Sequence, residues 1–573
     1  MKFQLDRDEI NDNAQKLIDW VKSSELDCLY ISSFDIHLNE YVPLYDNLRY
    51  LFTGFSGSVA EVLCTKDEIF LFVDGRYHEQ VDNECEAPVR PIKVSFDDTL
   101  HESLKTQIRS RQFHKIGVVS ERTSVSFYND LRSMLDVETI GEAELISLIK
   151  YPVNEGQHTL EYLGIELTGE GQLSKFKKVC HEEKSSYFVC ALDTISWLTN
   201  IRGYELPYQA TFKSKCMVTK DCLYLFSTQE NVKQARELKI DGLSWHNFSE
   251  MEQVLSSLTH SLEKVYYDPN KTTVKDIQTL DKSFGHDKTY QDPNGLTHFH
   301  ANKNETEIKG FEKSFENSDN AIWNTINWMK RECQKRDVTE FEFYTQAGLE
   351  YSKVGAKAQS FHTIAGFGAS SSIIHFGNSS KEKNYVEGEL ILMDSGAFYE
   401  HGLATDCTRA FIGKGEAQDW QKEIYTLVLK GLLLVQGSTF KEGTLGEEID
   451  EIARRPIKEA GYDYAHGTGH GVGINVHEGC YRLKPGSKIP LKEGLVGSIE
   501  PGIYLPGKGG VRLENIAVIE KLHPDRDLLK FRPLVFIGFE TDLIDFSMLD
   551  EKEKELLQTY EEECTKRGRS LLF

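Results

Sequence analysis

The amino-acid sequence predicts a multidomain α/β protein, and three observations support this class. The chain has 573 residues, more than one ordinary hydrophobic core contains, which suggests two to four domains. Short apolar runs alternate with helix-like segments over roughly the first 300 residues, as they do in α/β domains. Stretches rich in Pro, Gly and Asn, LIKYPVNEGQH and YQDPNGLTHFHANKNETE, then divide the chain. We therefore expect domains over residues 1–152, 153–303 and 304–573.

Each expected domain has its own candidate elements. The first contains the strand-like runs DCLYISS, EIFLFVDGRY and KIGVVS, and the second contains YFVCALDTISWLTNIRG, CLYLFS and KVYYDP. The third opens on a helical stretch from about Glu305 and includes one long helix candidate, QDWQKEIYTLVLKGLLLVQ. In the last segment, Leu556, Leu557 and Tyr560 recur on a helical spacing among charges. They predict a solvated C-terminal helix with one packed stripe, and a partner-binding helix is the alternative.

Charge and composition exclude several function classes. The formal net charge of −24, from 66 basic and 90 acidic residues, argues against a nucleic-acid or anionic-membrane partner. Eleven cysteines, an odd number without a Cys-x-x-Cys pair, favour reduced thiols in a cytosolic protein. The sequence shows no signal-peptide pattern and no run near the roughly 18 apolar residues that span a bilayer. We therefore expect a cytoplasmic protein without a membrane segment.

Two acidic residues flank a candidate turn in GELILMDSGAFYEHGLATDCTRAFIG. Glu400, in the turn candidate Glu400-His401-Gly402, lies midway between Asp394 and Asp406. If the flanking runs pair as a hairpin, the two aspartates lie nearly opposite each other on one face, with Cβ atoms about 4.5–5.5 Å apart. Like charges at that distance are destabilising unless a cation lies between them. This pattern favours a metal site.

A second acidic pair has the same arrangement in GLVGSIEPGIYLPGKGGVRLENIAVIE. Glu500 and Glu514 are centred on Gly507, within the strong turn signal Pro506-Gly507-Lys508. Acids on strands often face solvent, and a one-residue slip would separate either pair, so one pair alone is weak evidence. Two such pairs predict an oxygen-rich site for Mn²⁺, Co²⁺, Fe²⁺ or Zn²⁺, with two ions sharing bridging carboxylates as the economical arrangement.

The histidines of DYAHGTGHGVGINVHEG are the candidate nitrogen ligands. A helix would place His466 and His470 on one face, but the four glycines in between and beside them each cost a helix about 1 kcal/mol. The segment is therefore expected to be extended or looped, with these two residues roughly 13 Å apart, so that only one binds a given ion. No Gly-Lys-Ser/Thr follows and no strand–loop–helix context is evident, which argues against a phosphate loop. His375, in SSSIIHFG, reads by itself as a structural or surface histidine.

The motifs DSGA, TDCTR, HGTGHG, IEPG and RLEN, in this order, resemble the metal-ligand motifs of the aminopeptidase P family, the Xaa-Pro aminopeptidases with a pita-bread catalytic domain. The resemblance implies five ligands: Asp394, Asp406, His470, Glu500 and Glu514. It implies two divalent ions, with Mn²⁺ as the expected metal and Zn²⁺, Co²⁺ or Fe²⁺ as alternatives. Asp406 and Glu514 would bridge them, Asp394 would complete one site, and His470 with Glu500 would complete the other.

The resemblance also implies roles for residues that face the substrate. His375 would stabilise the tetrahedral intermediate or shuttle protons, His466 would line the substrate pocket, and His477 would contact the peptide carbonyl near the scissile bond. Arg512 would support the metal site through the acidic ligands, and Glu500 is the candidate for handling the proton of the attacking water.

One spacing departs from the long members of the family. His477 follows His470 by seven residues, as in shorter members, whereas long animal forms carry two more. The shape of this loop, and with it the preferred substrate length, stays open.

Similarity to this family extends beyond the catalytic motifs. NLRYLFTGFSGSVAEV with FVDGRY resembles the N-terminal creatinase-like domain, and CALDTISWLTNIRG resembles the second domain of three-domain members. FRPLVFIGFETDLIDFSMLDEKEKELLQTY resembles their C-terminal extension. The implied architecture is two creatinase-like α/β domains followed by a pita-bread catalytic domain.

The implied activity is hydrolysis of the bond between an N-terminal residue and a penultimate proline by a metal-activated hydroxide, in a cytoplasmic homodimer. Three rivals are weighed against it. A prolidase shares all five ligands but acts on dipeptides. Creatinase has the fold without the metals, and the intact ligand set argues against it. A pita-bread domain kept only as a peptide-binding module, as in certain histone chaperones, lacks the ligands and carries an acidic tail, and neither is true of this chain.

Overall fold

The computed structural model describes residues 4–150, 158–180, 182–523 and 527–570. The predicted junction at Pro152 and Gly156 lies outside the described residues. The chain forms two compact units, of which unit 1 comprises Met1–Ile165, Glu170–Pro207 and Thr211–Leu296, and unit 2 comprises Glu166–Gly169, Tyr208–Ala210 and Thr297–Phe573. Among the described residues, no helix combines the length and apolar character that crossing a bilayer requires.

The first half of unit 1 is an α/β sandwich. Its elements are α1 (Arg7–Ser23), β1 (Cys28–Ile31), α2 (Leu48–Thr53), β2 (Glu61–Thr65), β3 (Ile69–Val73), α3 (His78–Glu84), β4 (Val89–Lys93), α4 (Leu100–Ser110), β5 (Lys115–Val119), α5 (Val125–Arg132), β6 (Asp136–Ile140) and α6 (Glu142–Ile146). The sheet order is β4-β3-β2-β1-β5-β6, and the central strands β1, β2 and β3 are buried along their whole length. The predicted strand runs of this half are confirmed.

The second half of unit 1 repeats this topology. The elements between β7 and β14 are β7 (Leu160–Tyr162), α7 (Ile165–Thr168), α8 (Gln172–Val179), β8 (Ser185–Val189), α9 (Leu192–Thr199), β9 (Ile201–Gly203), β10 (Ser214–Val218), β11 (Leu223–Ser227), α10 (Gln229–Leu238), β12 (Leu243–Asn247), α11 (Met251–Leu258), β13 (Lys264–Tyr267), α12 (Val274–Phe284) and β14 (Thr289–Gln291). All belong to unit 1 except α7, most of which belongs to unit 2. The order β12-β11-β10-β8-β13-β14 has the same succession of parallel and antiparallel pairs as the first sheet. Each expected N-terminal domain thus contains one six-stranded sheet, and the second also contains the two-stranded sheet β7-β9, while the exact domain limits stay a prediction.

Unit 2 combines helices with small antiparallel sheets. Its elements are α13 (Thr297–Ala301), α14 (Glu305–Glu332), α15 (Glu340–Lys353), β15 (Ala358–Gln359), β16 (Ile364–Phe367), β17 (Leu390–Ser395), β18 (Ala397–Phe398), β19 (Cys407–Ile412), α16 (Asp419–Gln436), β20 (Thr439–Lys441), α17 (Gly446–Glu459), β21 (Gly469–Gly471), β22 (Glu478–Leu483), β23 (Val496–Ile499), β24 (Gly502–Leu505), β25 (Gly509–Arg512), β26 (Asn515–Lys521), β27 (Leu528–Pro533) and α18 (Glu551–Lys566). The sheets are β20-β27-β26-β23-β21-β22, β16-β17-β19, β24-β25 and β15-β18.

The core of unit 2 lies between these sheets and the predicted long helix. α16 contributes Ile424, Val428 and Leu432, all without exposed surface, to a cluster that also contains residues of β23, β26 and α18. α18 begins at the capping residue Asp550, and its Leu557 and Tyr560 are buried. Both predicted helices are confirmed, and the apolar stripe of the last one packs within unit 2.

Candidate active site

The first acidic pair lies on strands β17 and β19, but its register differs from the prediction. Asp394 pairs with Thr408, and the bridge between Phe398 and Ala404 keeps the same register, so the connection is centred on His401. The predicted centre at Glu400 is wrong by one residue because Ala397–Phe398 forms β18 against β15 and leaves a longer loop. Asp406, two residues from Thr408, still lies on the same face of the ladder as Asp394.

The second acidic pair has the predicted register. Ile499 pairs with Asn515 in β23 and β26, and Gly502 pairs with Arg512 in β24 and β25. Both pairings are centred on Gly507, whose φ of +72° suits the glycine of a tight turn. Glu500 and Glu514 lie between these pairs and therefore face each other.

The glycine-rich histidine segment is extended, as predicted. Gly469–Gly471 forms β21, whose register is irregular between His470 and Gly471. His470 Nδ1 lies 3.1 Å from the carbonyl oxygen of Gly471; because a carbonyl only accepts, Nδ1 carries the proton. Nε2, the ring nitrogen that this hydrogen bond leaves for a ligand, lies 3.5 Å from Asp406 Oδ2 and 3.4 Å from Glu500 Oε1.

Of the three histidines in this segment, the structure brings His470 to the carboxylates. His466 Nε2 lies 2.9 Å from the hydroxyl of Tyr504 instead. The ring of His477 lies edge-on to that of His470, with centroids 4.4 Å apart.

The cluster has the composition of a divalent-cation site. Asp406, His470 and Glu514 offer ligand atoms that all lie within 4.8 Å of one another. Asp394 Oδ1 and Glu514 Oε1 are buried and accept no hydrogen bond. Buried acceptors without donors are unfavourable unless a cation supplies the missing interaction. Carboxylate oxygens with one imidazole therefore fit the metal ions that the sequence predicts.

Electrostatics lead to the same conclusion. Burial, and then the charges of Asp394 and Glu500, raises the pKa of Asp406 well above its ordinary value. Burial, followed by Asp406 and the two other acids, raises the pKa of Glu514 in the same way. Like charges held this close disfavour ionisation, and a divalent cation between them would reverse that effect.

Arg512 links Asp394 to His466 through Tyr504. Its Nη2 donates to Asp394 Oδ2 at 2.6 Å, and its Nε donates to the Thr408 hydroxyl at 3.0 Å. Its Nη1 donates to the hydroxyl of Tyr504 at 2.8 Å. His466 Nδ1 donates to the carbonyl of Gly467 at 2.7 Å, so its Nε2 accepts from Tyr504. A chain of hydrogen bonds thus runs from the Arg512 guanidinium through the Tyr504 hydroxyl to the His466 imidazole.

His375 is half-buried in the segment that follows Gly368–Ser372, a 3₁₀ helix. The carbonyl of its neighbour Ile374 accepts from Arg512 Nη1 at 3.3 Å, and the amide of Gly510 donates to Ser371 Oγ at 2.9 Å. The backbone that carries His375 is thus attached to β25, the strand that ends at Arg512.

Sequence reasoning missed Tyr504 and Thr408. Tyr504 follows Glu500 by four residues on the same hairpin arm, and strand alternation would have placed both side chains on one face. Thr408 donates its hydroxyl to Glu514 Oε2 at 2.9 Å, a contact between strands 106 residues apart that local pattern does not reveal.

Comparison with known proteins shows the family of this chain. The model of metallopeptidase family M24 matches residues 310–521, and models of the creatinase/prolidase N-terminal domain match residues 14–148 and 152–307. A probable Xaa-Pro aminopeptidase P of Sordaria macrospora is 30% identical over 97% of this chain and 95% of its own length. The chain belongs to the aminopeptidase P family. Xaa-Pro aminopeptidase 1 of Dictyostelium discoideum, another member, is 28% identical over 97% of this chain and 92% of its own.

Solved structures show the same fold. An X-prolyl aminopeptidase of Caenorhabditis elegans, described as a cytosolic enzyme with a di-nuclear active site, has a TM-score of 0.86 and 24% identity, covering 98% of this chain and 95% of its own. A Pyrococcus horikoshii prolidase has a TM-score of 0.53 and 26% identity, and covers 65% of this chain and 99% of its own. The fold is thus two creatinase-type domains followed by a pita-bread domain.

Proposed function

We propose that this chain is a metal-dependent aminopeptidase that removes the N-terminal residue from peptides with proline in second position. The observation that carries the proposal is the cluster of buried Asp406 and Glu514 with half-buried His470, whose ligand atoms lie within 4.8 Å of one another in a member of the aminopeptidase P family. The substrate class comes from the names of the relatives. The names of these full-length relatives, all Xaa-Pro aminopeptidases, favour this reading over a prolidase.

Five residues would hold two divalent cations: Asp394, Asp406, His470, Glu500 and Glu514. We propose Asp406 and Glu514 as the bridging pair, and Mn²⁺ as the native metal. Two such cations, when bound, supply an acidified water for attack and polarise the peptide carbonyl. Hydrogen bonds from neighbouring side chains orient three of these carboxylates. Arg512 donates to Asp394, Thr408 donates to Glu514, and Ser498 Oγ donates to Glu500 Oε1 at 3.1 Å.

The other residues act on the substrate. Glu500 is the proposed acceptor of the proton of the attacking water, because its carboxylate borders the cluster and is only partly buried. His375 and His477 would hydrogen-bond the peptide oxygen as negative charge develops on it. His466, oriented by Tyr504, would line the pocket for the substrate.

A peptide panel tests this proposal. Purified protein loaded with Mn²⁺ is assayed with Arg-Pro-Pro-type tripeptides, longer Xaa-Pro peptides, a Xaa-Pro dipeptide and Xaa-Ala analogues. Release of the first residue from the longer Xaa-Pro peptides is expected, and no hydrolysis would overturn the proposal. Cleavage of the dipeptide alone would make the protein a prolidase. The longest peptide cleaved reports how the short His470–His477 spacing limits substrate length.

Metal analysis supplies an independent check. Two ions per chain are expected by elemental analysis, and fewer than about one would contradict a dinuclear site. Asp406→Asn should lose both metal and activity, whereas the exposed Asp419→Asn, on the first turn of α16, should keep both.

We also propose a cytoplasmic location and a homodimer. The description of the nematode relative as cytosolic supports the location, and the family resemblance supports the dimer. Light scattering of the purified chain tests the dimer, and a monomer at working concentration would refute it.

A further inference from the structure

A buried cluster of charged side chains lies next to the histidine segment and has no place in the proposed chemistry. Glu478 Oε1 accepts from His300 Nδ1 at 3.0 Å, and Glu478 Oε2 accepts from Lys303 Nζ. The exposed fractions of the three side chains are only 1–2%. Lys303 Nζ also donates to the carbonyl of His300 at 2.6 Å, and Lys303 N donates to Gly494 O at 2.9 Å. Removing charges from water is costly, so this arrangement calls for a specific use.

The sequence position of Glu478 suggests that use. Glu478 directly follows His477, and in the β21–β22 ladder it pairs with Gly471, which directly follows His470. Glu478 is therefore the sequence neighbour of His477, and its ladder partner is the sequence neighbour of His470. The centroids of these two imidazoles are 4.4 Å apart.

Backbone pairing alone does not fix His477. The ladder runs from Gly469–Leu483 and His470–Arg482 directly to Gly471–Glu478, which leaves the residues between Glu478 and Arg482 without partners in β21. Cys480, within that bulge, has a φ of +67°, which non-glycine residues rarely adopt. An irregular ladder of this kind needs side-chain anchors to hold one geometry.

The same carboxylate braces the glycine loop between the two histidines. A Cβ placed on Gly473 would lie 1.8 Å from Glu478 Oε1, so the backbone of Gly473 lies directly against the carboxylate. The carbonyl of Gly473 accepts from Ala404 N at 2.8 Å, on the segment that leads to Asp406. The loop is thus held at Gly473 by the Glu478 carboxylate and by a backbone hydrogen bond from the segment that leads to Asp406.

We propose that Glu478, held by His300 and Lys303, is a positioning residue that fixes the imidazole of His477 beside His470 for contact with the scissile peptide. This inference rests on the proposed function of the site. Burial raises the pKa of Glu478, but Lys303 and then His300 outweigh burial and keep the pKa below its ordinary value, so the anchor is a carboxylate. An ionised anchor holds its two donors more strongly than a neutral one would.

A double-mutant cycle tests the inference. Removing both charges with Lys303→Met and Glu478→Gln avoids leaving one buried charge unpaired. This pair variant should lower kcat at least tenfold with KM changed less than threefold, because an interaction made in the transition state is lost. In a His477→Ala background the same pair variant should cause less than a twofold further loss. Lys303→Arg, which keeps the ion pair, should retain kcat within threefold.

A readout independent of activity uses the metal-free protein. With histidine labelled at ¹³Cε1, the His477 resonance is identified by its disappearance in His477→Ala. In the pair variant this resonance should shift or split, while the His466 resonance stays in place. If the pair variant does not fold, Gly473→Ala serves instead, because its methyl group displaces the carboxylate without removing a charge.

The matched control is the pair variant Lys430→Met with Glu553→Gln. Lys430 Nζ and Glu553 Oε2 are 2.8 Å apart, with the Glu553 side chain 4% exposed, and they join α16 to α18. The control should leave kcat and the His477 resonance unchanged. An unmoved His477 resonance, or an equal loss of kcat with and without His477, would overturn the positioning role. An inactive wild-type protein would refute the proposed function instead, and the resonance would still decide the positioning.

Discussion

Arg512 is the residue on which most contacts of the candidate site converge. Its guanidinium is buried and donates to Asp394, Thr408 and Tyr504 from three different nitrogens. A planar fork can serve three acceptors in fixed directions, whereas an ammonium on a flexible stem cannot. The side chain therefore orients the carboxylate of Asp394 and the hydroxyl of Tyr504 at the same time.

Arg512→Lys should separate the effect of the orienting hydrogen bonds of Arg512 from the effect of its positive charge. Because lysine keeps the positive charge but loses the fork, we expect Mn²⁺ affinity to fall about 10- to 100-fold, the usual cost of losing a group that orients a metal ligand. Titration of the metal-free protein with Mn²⁺ measures this affinity. Arg532→Lys is the control, since Arg532 is one-third exposed and pairs with Glu520 and Glu312. Equal Mn²⁺ affinities for Arg512→Lys and the unmodified chain would refute the orienting role.

At the scale of elements, helix α17 holds the histidine segment in place. Arg454 is fully buried; its Nε donates to Asp450 at 2.8 Å, and its Nη1 donates to the carbonyl of Tyr464 at 2.8 Å. Its Nη2 donates to the carbonyl of His466 at 2.5 Å. A glycine-rich segment has few side chains of its own for packing, so a neighbouring helix supplies the constraint.

Arg454→Met should therefore destabilise unit 2. The change leaves the carboxylate of Asp450 buried without its cation, for which we expect a loss of about 3–5 kcal/mol in the free energy of unfolding. Urea unfolding followed by circular dichroism measures the loss. Arg455→Met, on the exposed side of the same helix, should change stability by less than about 0.5 kcal/mol. A loss of similar size in both variants would show that the buried contacts are not its cause.

The elements differ in how far sequence alone predicts them. The periodicity of apolar residues predicted α16 and α18, since burial of one face is written into local sequence. The turn signal at Gly507 fixed the register of the second acidic pair. The first pair was predicted one residue off, because its loop is shaped by β18 pairing with β15, a strand nearly 40 residues earlier. Local pattern carries no information on such a distant partner, and the contact of Thr408 with Glu514, 106 residues away, was missed for the same reason.

At the scale of the whole molecule, the two units should respond differently to solution conditions. In unit 1, His37 is buried, and neither of its ring nitrogens has a hydrogen-bond partner. Burial, and then Lys215, lowers its pKa to about 3 against the raising effect of Asp276, with a weaker lowering by Lys213 and a weaker raising by Asp46. The folded state thus binds fewer protons than the unfolded state between pH 3 and 6.5.

Unit 1 should consequently lose stability as pH falls below 6.5, by up to about 1.4 kcal/mol per pH unit from this residue. His37→Leu should reduce that slope by up to one proton and leave stability at pH 8 equal or higher, because no buried nitrogen remains unsatisfied. Urea unfolding between pH 4.5 and 8 measures the slope. His286→Leu is the control, since its side chain is 90% exposed. Identical slopes for His37→Leu and the unmodified chain would contradict the assignment.

Unit 2 should respond to metal. A cation that binds the folded cluster and not the unfolded chain stabilises the fold by an amount that grows with its concentration, about 2.7 kcal/mol at 100 times the dissociation constant. The gain should be concentrated in the strands that carry or flank the proposed ligands, β17, β19, β21, β23 and β26, because the cation relieves the repulsion among the clustered carboxylates. Hydrogen exchange followed by mass spectrometry resolves these strands. Mn²⁺ should slow their exchange in the unmodified chain and in Asp419→Asn but not in Asp406→Asn, whose loss of a carboxylate removes the proposed bridge. Equal slowing in Asp406→Asn would mean that Mn²⁺ binds elsewhere, and the ligand assignment would then fail even if the protein were active.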